Sequence, residues 1–193
     1  MVSVQPEITT AAISDDGILA ARAIRDAEAF AELYRRHFTR VYRYHLAHTG
    51  YVQDAQDLTT QTFLAALEGI ESFRGTGSFA AWLLGIARRK MALHYRSRRL
   101  ETPLDEVDHL PDPRPLPEIA VGERMQLFRV NQALQNLASE RAEALVLCIF
   151  GGLSALEAGS VMGKSEAAVK MLVYRGLKDL REKLALALQE EMR

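Results

Sequence analysis

The sequence holds one cysteine, one tryptophan and six prolines in 193 residues. A single thiol cannot form an internal disulfide, and Cys148 sits in the apolar run Leu145-Val146-Leu147-Cys148-Ile149-Phe150. It reads as a buried thiol of a reducing compartment. No apolar stretch approaches the ~20 residues needed to span a bilayer, and no signal-peptide pattern stands at the N-terminus. The expectation is a soluble, cytoplasmic protein with no membrane partner. Strand signals are missing as well: there is no sustained period-2 alternation, no cluster of hairpin turns and no repeat at fixed spacing. Catalytic and metal signals are equally thin. His45 and His48 stand i, i+3 on a predicted helix without acidic ligands at metal spacing, and there is no nucleophile–base pair or phosphate-binding glycine loop. The chain reads as a non-enzyme with no metal and no cofactor.

What is present is helical periodicity. Phe30, Leu33, Phe38, Val41 and Leu46 suit one helix face, and Phe63, Ala66, Leu67 and Ile70 a second. Phe79, Trp82, Leu83, Ile86 and Leu93 suit a third, and the pattern resumes from Leu134 to Leu184. The fold class is all-α: two small helical domains joined by an extended, proline-rich acidic linker, the second containing a helix-turn-helix. The linker is placed at residues 100–122, because Pro103, Pro111, Pro113, Pro115 and Pro117 fall there. Proline removes backbone donors and pushes the preceding residue toward extended backbone. Residues 1–23 are then a flexible tail, 24–99 the N-terminal domain and 123–187 the C-terminal domain. Domains of this size bury only modest cores.

The net charge of −1 argues, as a total, against a nucleic-acid partner, but a total is silent on where charges sit. From Ser72 to Leu100 there are seven basic residues and no acid; from Glu101 to Glu123 there are seven acids against Arg114 alone. From Lys164 to Lys183 six basic residues face three acids. Neutrality is a cancellation between basic patches and an acidic connector.

Helix geometry leaves three surfaces outside. Asp54, Asp57, Gln61 and Glu68 fall within roughly a 60° sector opposite Phe63, Ala66, Leu67 and Ile70, with Leu58 and Leu64 on its flanks. A solvated face and a docking stripe for another protein's helices both fit it. The second surface runs from Phe73 to Arg99. There Arg88, Tyr95, Arg96 and Arg99 lie opposite the apolar face, with Arg89 at the edge and Lys90 on the apolar side. The loop Phe73-Arg74-Gly75-Thr76-Gly77-Ser78-Phe79 precedes them. Cations beside aromatic residues suit single-stranded nucleic acid, although Trp82 alone fits a core role as well. The third surface follows Gly151-Gly152. Ser154 and Glu157 have capping-box spacing, Gly163 ends that short helix, and Ser165 caps the next. The result is a helix-turn-helix. Its second helix turns Ala167, Lys170, Met171, Tyr174 and Lys178 outward, a basic face suited to a DNA major groove.

These pieces together resemble a sigma-70 family RNA polymerase sigma factor of the extracytoplasmic-function (ECF) group. Asp54-Ala55-Gln56-Asp57-Leu58-Thr59-Thr60-Gln61-Thr62-Phe63-Leu64 is similar to the family's region 2.2. Phe73-Arg74-Gly75 and Phe79-Ala80-Ala81-Trp82-Leu83-Leu84-Gly85-Ile86-Ala87-Arg88 resemble regions 2.3 and 2.4. Ser154, Glu157, Gly163, Ser165, Ala168-Val169-Lys170 and Tyr174-Arg175-Gly176-Leu177 resemble region 4.2. Three motifs in this order, separated by this linker, are a specific combination.

The resemblance implies an alternative sigma factor that binds core RNA polymerase and directs promoter-specific initiation. Asp54, Asp57, Leu58 and Gln61 would dock on the β′ clamp helices. Phe73, Arg74, Gly75, Thr76, Ser78, Trp82, Arg88, Arg89, Tyr95, Arg96 and Arg99 would hold the melted −10 element and capture an unstacked base. Extruding a base costs a few kcal/mol, which a fitted pocket must offset. Glu166, Ala167, Lys170, Met171, Tyr174, Arg175 and Lys178 would read the −35 duplex, and apolar residues of the C-terminal domain would hold the β flap. The linker would thread the polymerase's RNA path as a polyanion mimic. An anti-sigma factor between the two lobes often regulates such proteins.

Several positions depart from the family pattern. Gln56 replaces a Glu, Arg89 and Leu93 replace an Asn and an Asp, and Ala138 stands where Pro is common. Met171-Leu172 replaces a frequent Ser-Arg, trading hydrogen bonds for apolar contact that suits thymine methyls or shape readout. The alternative reading is a stand-alone helix-turn-helix transcriptional regulator. It accounts for residues 153–181 and leaves the other two surfaces unexplained.

Overall fold

The computed structural model describes residues 15–75, 77–101 and 130–191, with side chains as far as Arg98 in the second stretch and Glu182 in the last. The helices are α1 (Asp15–Ala23), α2 (Ala27–Thr49), α3 (Val52–Glu68), α4 (Phe79–Glu101), α5 (described over residues 130–135), α6 (Ser139–Leu145), α7 (Ala155–Met162) and α8 (Glu166–Glu191). A 3-10 turn, Ile70–Ser72, precedes the loop to α4, and a π-helical turn, Val146–Phe150, continues α6. No strand occurs among the described residues. The all-α expectation holds.

Helix boundaries follow local chemistry. Asp26 caps α2 by accepting from the N–H groups of Glu28 at 3.0 Å and Ala29 at 3.4 Å. Ser154 and Glu157 form the reciprocal capping box that starts α7. Gly163, in the left-handed region at φ 67°, ends α7, and the Ser165 hydroxyl accepts from Ala168 N–H at 3.2 Å to start α8. At Gly176 the constraint is packing rather than backbone: a Cβ there would stand 2.7 Å from Leu145 Cδ1. A side chain there would push the Leu145 side chain of α6 out of its place against α8.

Three boundaries differ from the sequence reading. The chain expected to be a tail forms α1 over Asp15–Ala23, while residues 1–14 lie outside the described residues. Leu19, Ala20 and Ala23 bury against α2, and Asp16 accepts from His37 Nε2 at 2.8 Å and from Arg36 at 3.2 Å. This stripe is short and mostly alanine, too weak a periodic signal to separate a helix from loose chain. Helix α4 continues through Glu101 and α8 through Glu191, each a few residues past its predicted end. The remainder of the predicted linker, 102–122, lies outside the described residues.

The larger finding is that the two predicted domains share one core. A single apolar cluster runs from Leu33, Val41, Leu83 and Leu84 to Leu145, Val146, Leu147 and Leu153. The π-helical turn packs on α2, and α7 packs on α4. Burying apolar surface is worth roughly 25 cal/mol per Å², so two small domains that each lack surface to bury gain by covering one another. Polar groups are satisfied across the same boundary. Asn131 Nδ2 donates to the carbonyls of Ala47 at 2.9 Å and His48 at 2.7 Å, in the last turn of α2, where carbonyls lack partners within the helix.

Candidate nucleic-acid interface

The acidic stripe of α3 faces the C-terminal half of α4. Asp57 and Gln61 are exposed, as expected. Asp54 is half-buried and already paired, with Arg98 Nη1 at 3.1 Å and His94 Nε2 at 3.6 Å. Leu58, expected on the flank of an open stripe, is 3% exposed, and Leu93, expected inside, is 56% exposed. Both corrections have one cause. An open groove of about 460 Å³ lies between the two helices, lined by Leu58, Gln61, Lys90, Leu93 and Arg96. Leu58 forms its floor, and Leu93 stands beyond the point where α3 covers α4. Lys90 opens into the same groove, which resolves its position on the apolar side of the helical wheel. Leu64 and Leu67 are exposed on α3, although Leu67 was expected in the core.

The second surface is built on an aromatic cluster. Phe73, Phe79 and Trp82 stand with ring centroids 5.3 to 5.5 Å apart, tilted or edge-on. Phe79 is buried, whereas Phe73 and Trp82 are half-buried and present one side outward. Gly75 holds the loop in the left-handed region at φ 70°, and Arg74 is exposed. Thr76 and the Arg99 side chain lie outside the described residues. Arg88, Arg89 and Arg96 are exposed on α4. Tyr95 is exposed on the same helix, and its hydroxyl donates to the His48 carbonyl at 2.8 Å, at the end of α2.

This surface is not bare. An open cleft of about 680 Å³ separates Phe73, Arg74, Trp82, Arg88 and Arg89 from Leu156, Glu157, Ser160 and Val161 of α7. Arg88 Nη1 donates to the Val161 carbonyl at 3.4 Å, and its Nε lies 3.5 Å from Glu143 of α6. Glu143 is itself largely buried: it accepts from the Tyr44 hydroxyl at 3.0 Å and lies 3.3 Å from His48 Nε2. Burial pushes its carboxyl up, but His48, Tyr44 and Arg88 outweigh that and hold it below the ordinary value. Glu157 behaves alike. Partial burial raises it, while hydrogen bonds from Ser78 and Ser154 and the charge of Arg40 leave it lowered. Two carboxylates of the C-terminal domain thus stand, ionised, against the surface predicted to hold a phosphate backbone.

The third surface is open. Glu166, Ala167, Lys170, Met171, Tyr174, Arg175 and Lys178 are all exposed on one face of α8. Val169 and Gly176 bury on the other. Its ion pairs are local: Lys170 Nζ to Glu166 at 2.6 Å and Lys178 Nζ to Glu182 at 3.8 Å. A single solvent-exposed pair of this kind is worth a few tenths of a kcal/mol and yields readily to a phosphate.

Sequence reasoning missed Glu143, Asn131 and the His45 cluster. His45 is fully buried, its Nε2 3.0 Å from Thr62 Oγ1, and that hydroxyl donates to the Leu58 carbonyl at 2.7 Å. His45 must therefore donate through Nε2, the neutral tautomer. Burial, and then repulsion from His48 and His94, pushes its pKa down to about 3. No group of three or more metal-ligating side chains assembles among the described residues. No helix there is long and apolar enough to cross a membrane.

Two family models match the chain: Sigma-70 region 2 over residues 33–101, and Sigma-70, region 4 over residues 127–180. The chain is similar to the ECF RNA polymerase sigma factor BldN of Streptomyces coelicolor, 37% identical over 158 residues, covering 80% of this chain and 60% of that protein. It is also similar to the RNA polymerase sigma factor CnrH of Cupriavidus metallidurans, 32% identical over 170 residues, covering 83% of this chain and 89% of that one. It thus spans about six tenths of the length of the first relative and nearly all of the second. Among solved structures, CnrH in complex with the cytosolic domain of CnrY superposes with a TM-score of 0.71 at 28% identity, covering 89% of this chain and 97% of that one.

Proposed function

The chain belongs to the sigma-70 family of RNA polymerase sigma factors, in its extracytoplasmic-function group, and from that premise we propose that it binds core RNA polymerase and directs initiation at a specific set of promoters. It acts as a binding factor, not an enzyme, in the cytoplasmic compartment of the polymerase. The exposed Asp57 and the α3/α4 groove, lined by Gln61 and Leu58, receive the β′ clamp helices. Phe73, Arg74, Trp82, Arg88, Arg89 and Arg96 hold the melted −10 strand, cations on phosphates and the half-buried rings on an unstacked base. The outer face of α8 enters the −35 major groove, where Lys170, Arg175 and Lys178 meet phosphates and Met171 and Tyr174 meet base edges.

The observation that carries this reading is the face of α8. Seven residues at contact positions are exposed together on α8, whose start is capped by Ser165 and whose preceding helix α7 is started by the Ser154–Glu157 capping box. The test is run-off transcription from a genomic promoter library with purified core polymerase. Transcripts from a restricted subset of fragments, appearing only when the chain is added, are the expected result. The same transcripts without it would refute the proposal.

A further inference from the structure

Resting on that reading, we propose that Asp16 and His37 are positioning residues of the −10 surface: Asp16 of α1 sets the His37 ring, and the ring braces Phe79, on which Phe73 and Trp82 lean. His37 is 4% exposed and lies behind that surface, away from its open side. Its ring centroid is 5.2 Å from that of Phe79. Phe79 in turn lies 5.3 Å from Phe73 and 5.4 Å from Trp82. His37 Nε2 stands 2.8 Å from Asp16 Oδ2. An ionised carboxylate only accepts, so Nε2 carries the proton. Burial outweighs the Asp16 carboxylate and holds the imidazole below its ordinary value, so at neutral pH its Nδ1 is bare. That nitrogen is buried with no hydrogen-bond partner.

An imidazole with one unsatisfied buried nitrogen is a poor space-filler, because an apolar side chain of similar size avoids the desolvation cost. What the imidazole supplies is direction. Terminal ring torsions are broad when only packing restrains them, and a hydrogen bond at Nε2 narrows them to one plane. That plane is tilted 56° against Phe79. Phe79 opens α4 and is buried, whereas Phe73 and Trp82 are half-buried and present one side outward. Orientation therefore passes from α1 to the two rings that would meet an unstacked base. The other end of the loop rests on the same helix. Helix α1 packs on the Ile70–Ser72 turn that leads into Phe73. Leu19, Ala20, Ala23, Ile70 and Phe79 share one apolar cluster. Both ends of the 73–78 loop are thus set by a helix that carries none of the residues proposed to touch DNA.

The test uses holoenzyme assembled from core polymerase and the full chain, as parent, Asp16→Ala, Asp16→Asn and His37→Leu. The Asn keeps an acceptor for Nε2, and the Leu fills the space without a donor. Arg36 also holds Asp16, at 3.2 Å, so the pair is approached from both sides. Two DNAs are cut from one promoter selected with the parent holoenzyme. One is a fork, duplex through −35 with a single-stranded nontemplate −10; the other is the same duplex without the overhang. Asp16→Ala and His37→Leu should bind the fork about fivefold more weakly than the parent, through loosened base stacking, and the plain duplex equally well. Asp16→Asn should bind both DNAs like the parent. In the free chain, acrylamide should quench Trp82, the only tryptophan, more strongly in Asp16→Ala and His37→Leu and not in Asp16→Asn. His37→Leu should melt no lower than the parent, which separates bracing from stability. Unchanged fork affinity and Trp82 quenching in Asp16→Ala and His37→Leu, or equal losses on both DNAs, would overturn the proposal. Failure of the parent to select any promoter breaks the functional reading instead, and Trp82 quenching in the free chain then decides the bracing on its own.

Discussion

The two surfaces rich in cations meet opposite fates in this molecule. The α8 face is exposed from Glu166 to Lys178 and answers only to ion pairs within its own helix. The face built from the 73–78 loop and α4 has the same chemistry, yet Arg88 is engaged by Glu143 of the other domain and Glu157 lines the same cleft. Composition alone therefore does not tell which basic surface is available. What decides it is whether the tertiary fold brings carboxylates to that surface. In this chain the covered surface is the one expected to need an unstacked base, and the bare one is expected to read an intact duplex.

The comparison depends on the shared core, and Leu147→Ala tests it most severely. Leu147 is fully buried on the π-helical turn, so truncation should cost about 2–5 kcal/mol. Trp82, the only tryptophan, lies in the other domain. If the domains fold as one unit, its fluorescence midpoint in urea shifts with the mutation; an unmoved midpoint would show two independent domains. A pH series comes next. His45 is neutral in the folded chain with a pKa of about 3 and titrates near 6.5 once unfolded. The unfolded state binds the extra proton between those values, so the stability associated with His45 is full above pH 6.5 and is lost as the pH falls toward 3. His45→Gln should flatten that part of the stability–pH curve measured by thermal melting, and a slope unchanged in the variant would remove His45 from the account.

Ser154→Ala removes the α7 capping box and should cost about 1 kcal/mol. Because α7 is one wall of the cleft, the loss should appear as faster amide exchange in α7 and in the 73–78 loop, with α2 unaffected. The smallest effect is expected on the bare face. Lys170→Ala should weaken promoter binding by holoenzyme to a similar degree across sequences and lower the salt-dependence slope by about one. A sequence-selective loss instead would make Lys170 a base reader.

How much of this was legible in the sequence follows from the range of each interaction. The helix-turn-helix is written in four residues within a span of twelve, Ser154 to Glu157 to Gly163 to Ser165, and local capping chemistry specifies it whatever surrounds it. The α3/α4 groove was half legible. A helical wheel gives the phase of Leu58 and Leu93 but not where a neighbouring helix stops covering them, and their burial came out reversed. The contacts between the two domains were not legible at all. Asn131 reaches His48 across 83 residues of sequence, and Glu143 reaches Tyr44 across 99. Neither residue carries a local signal, because an Asn or a Glu on a short helix looks like solvated surface until its partners are known. The acidic connector, in contrast, explained the near-neutral total without any structure.

The central claim is that this chain recognises promoters as part of the polymerase and not alone. Nuclease footprinting and permanganate probing of one promoter fragment, selected with reconstituted holoenzyme, test it directly. The account predicts protection of the −35 duplex and permanganate-reactive thymines at −10 only when core polymerase and this chain are both present. The same footprint from the isolated chain would contradict it and return the protein to the class of stand-alone helix-turn-helix regulators.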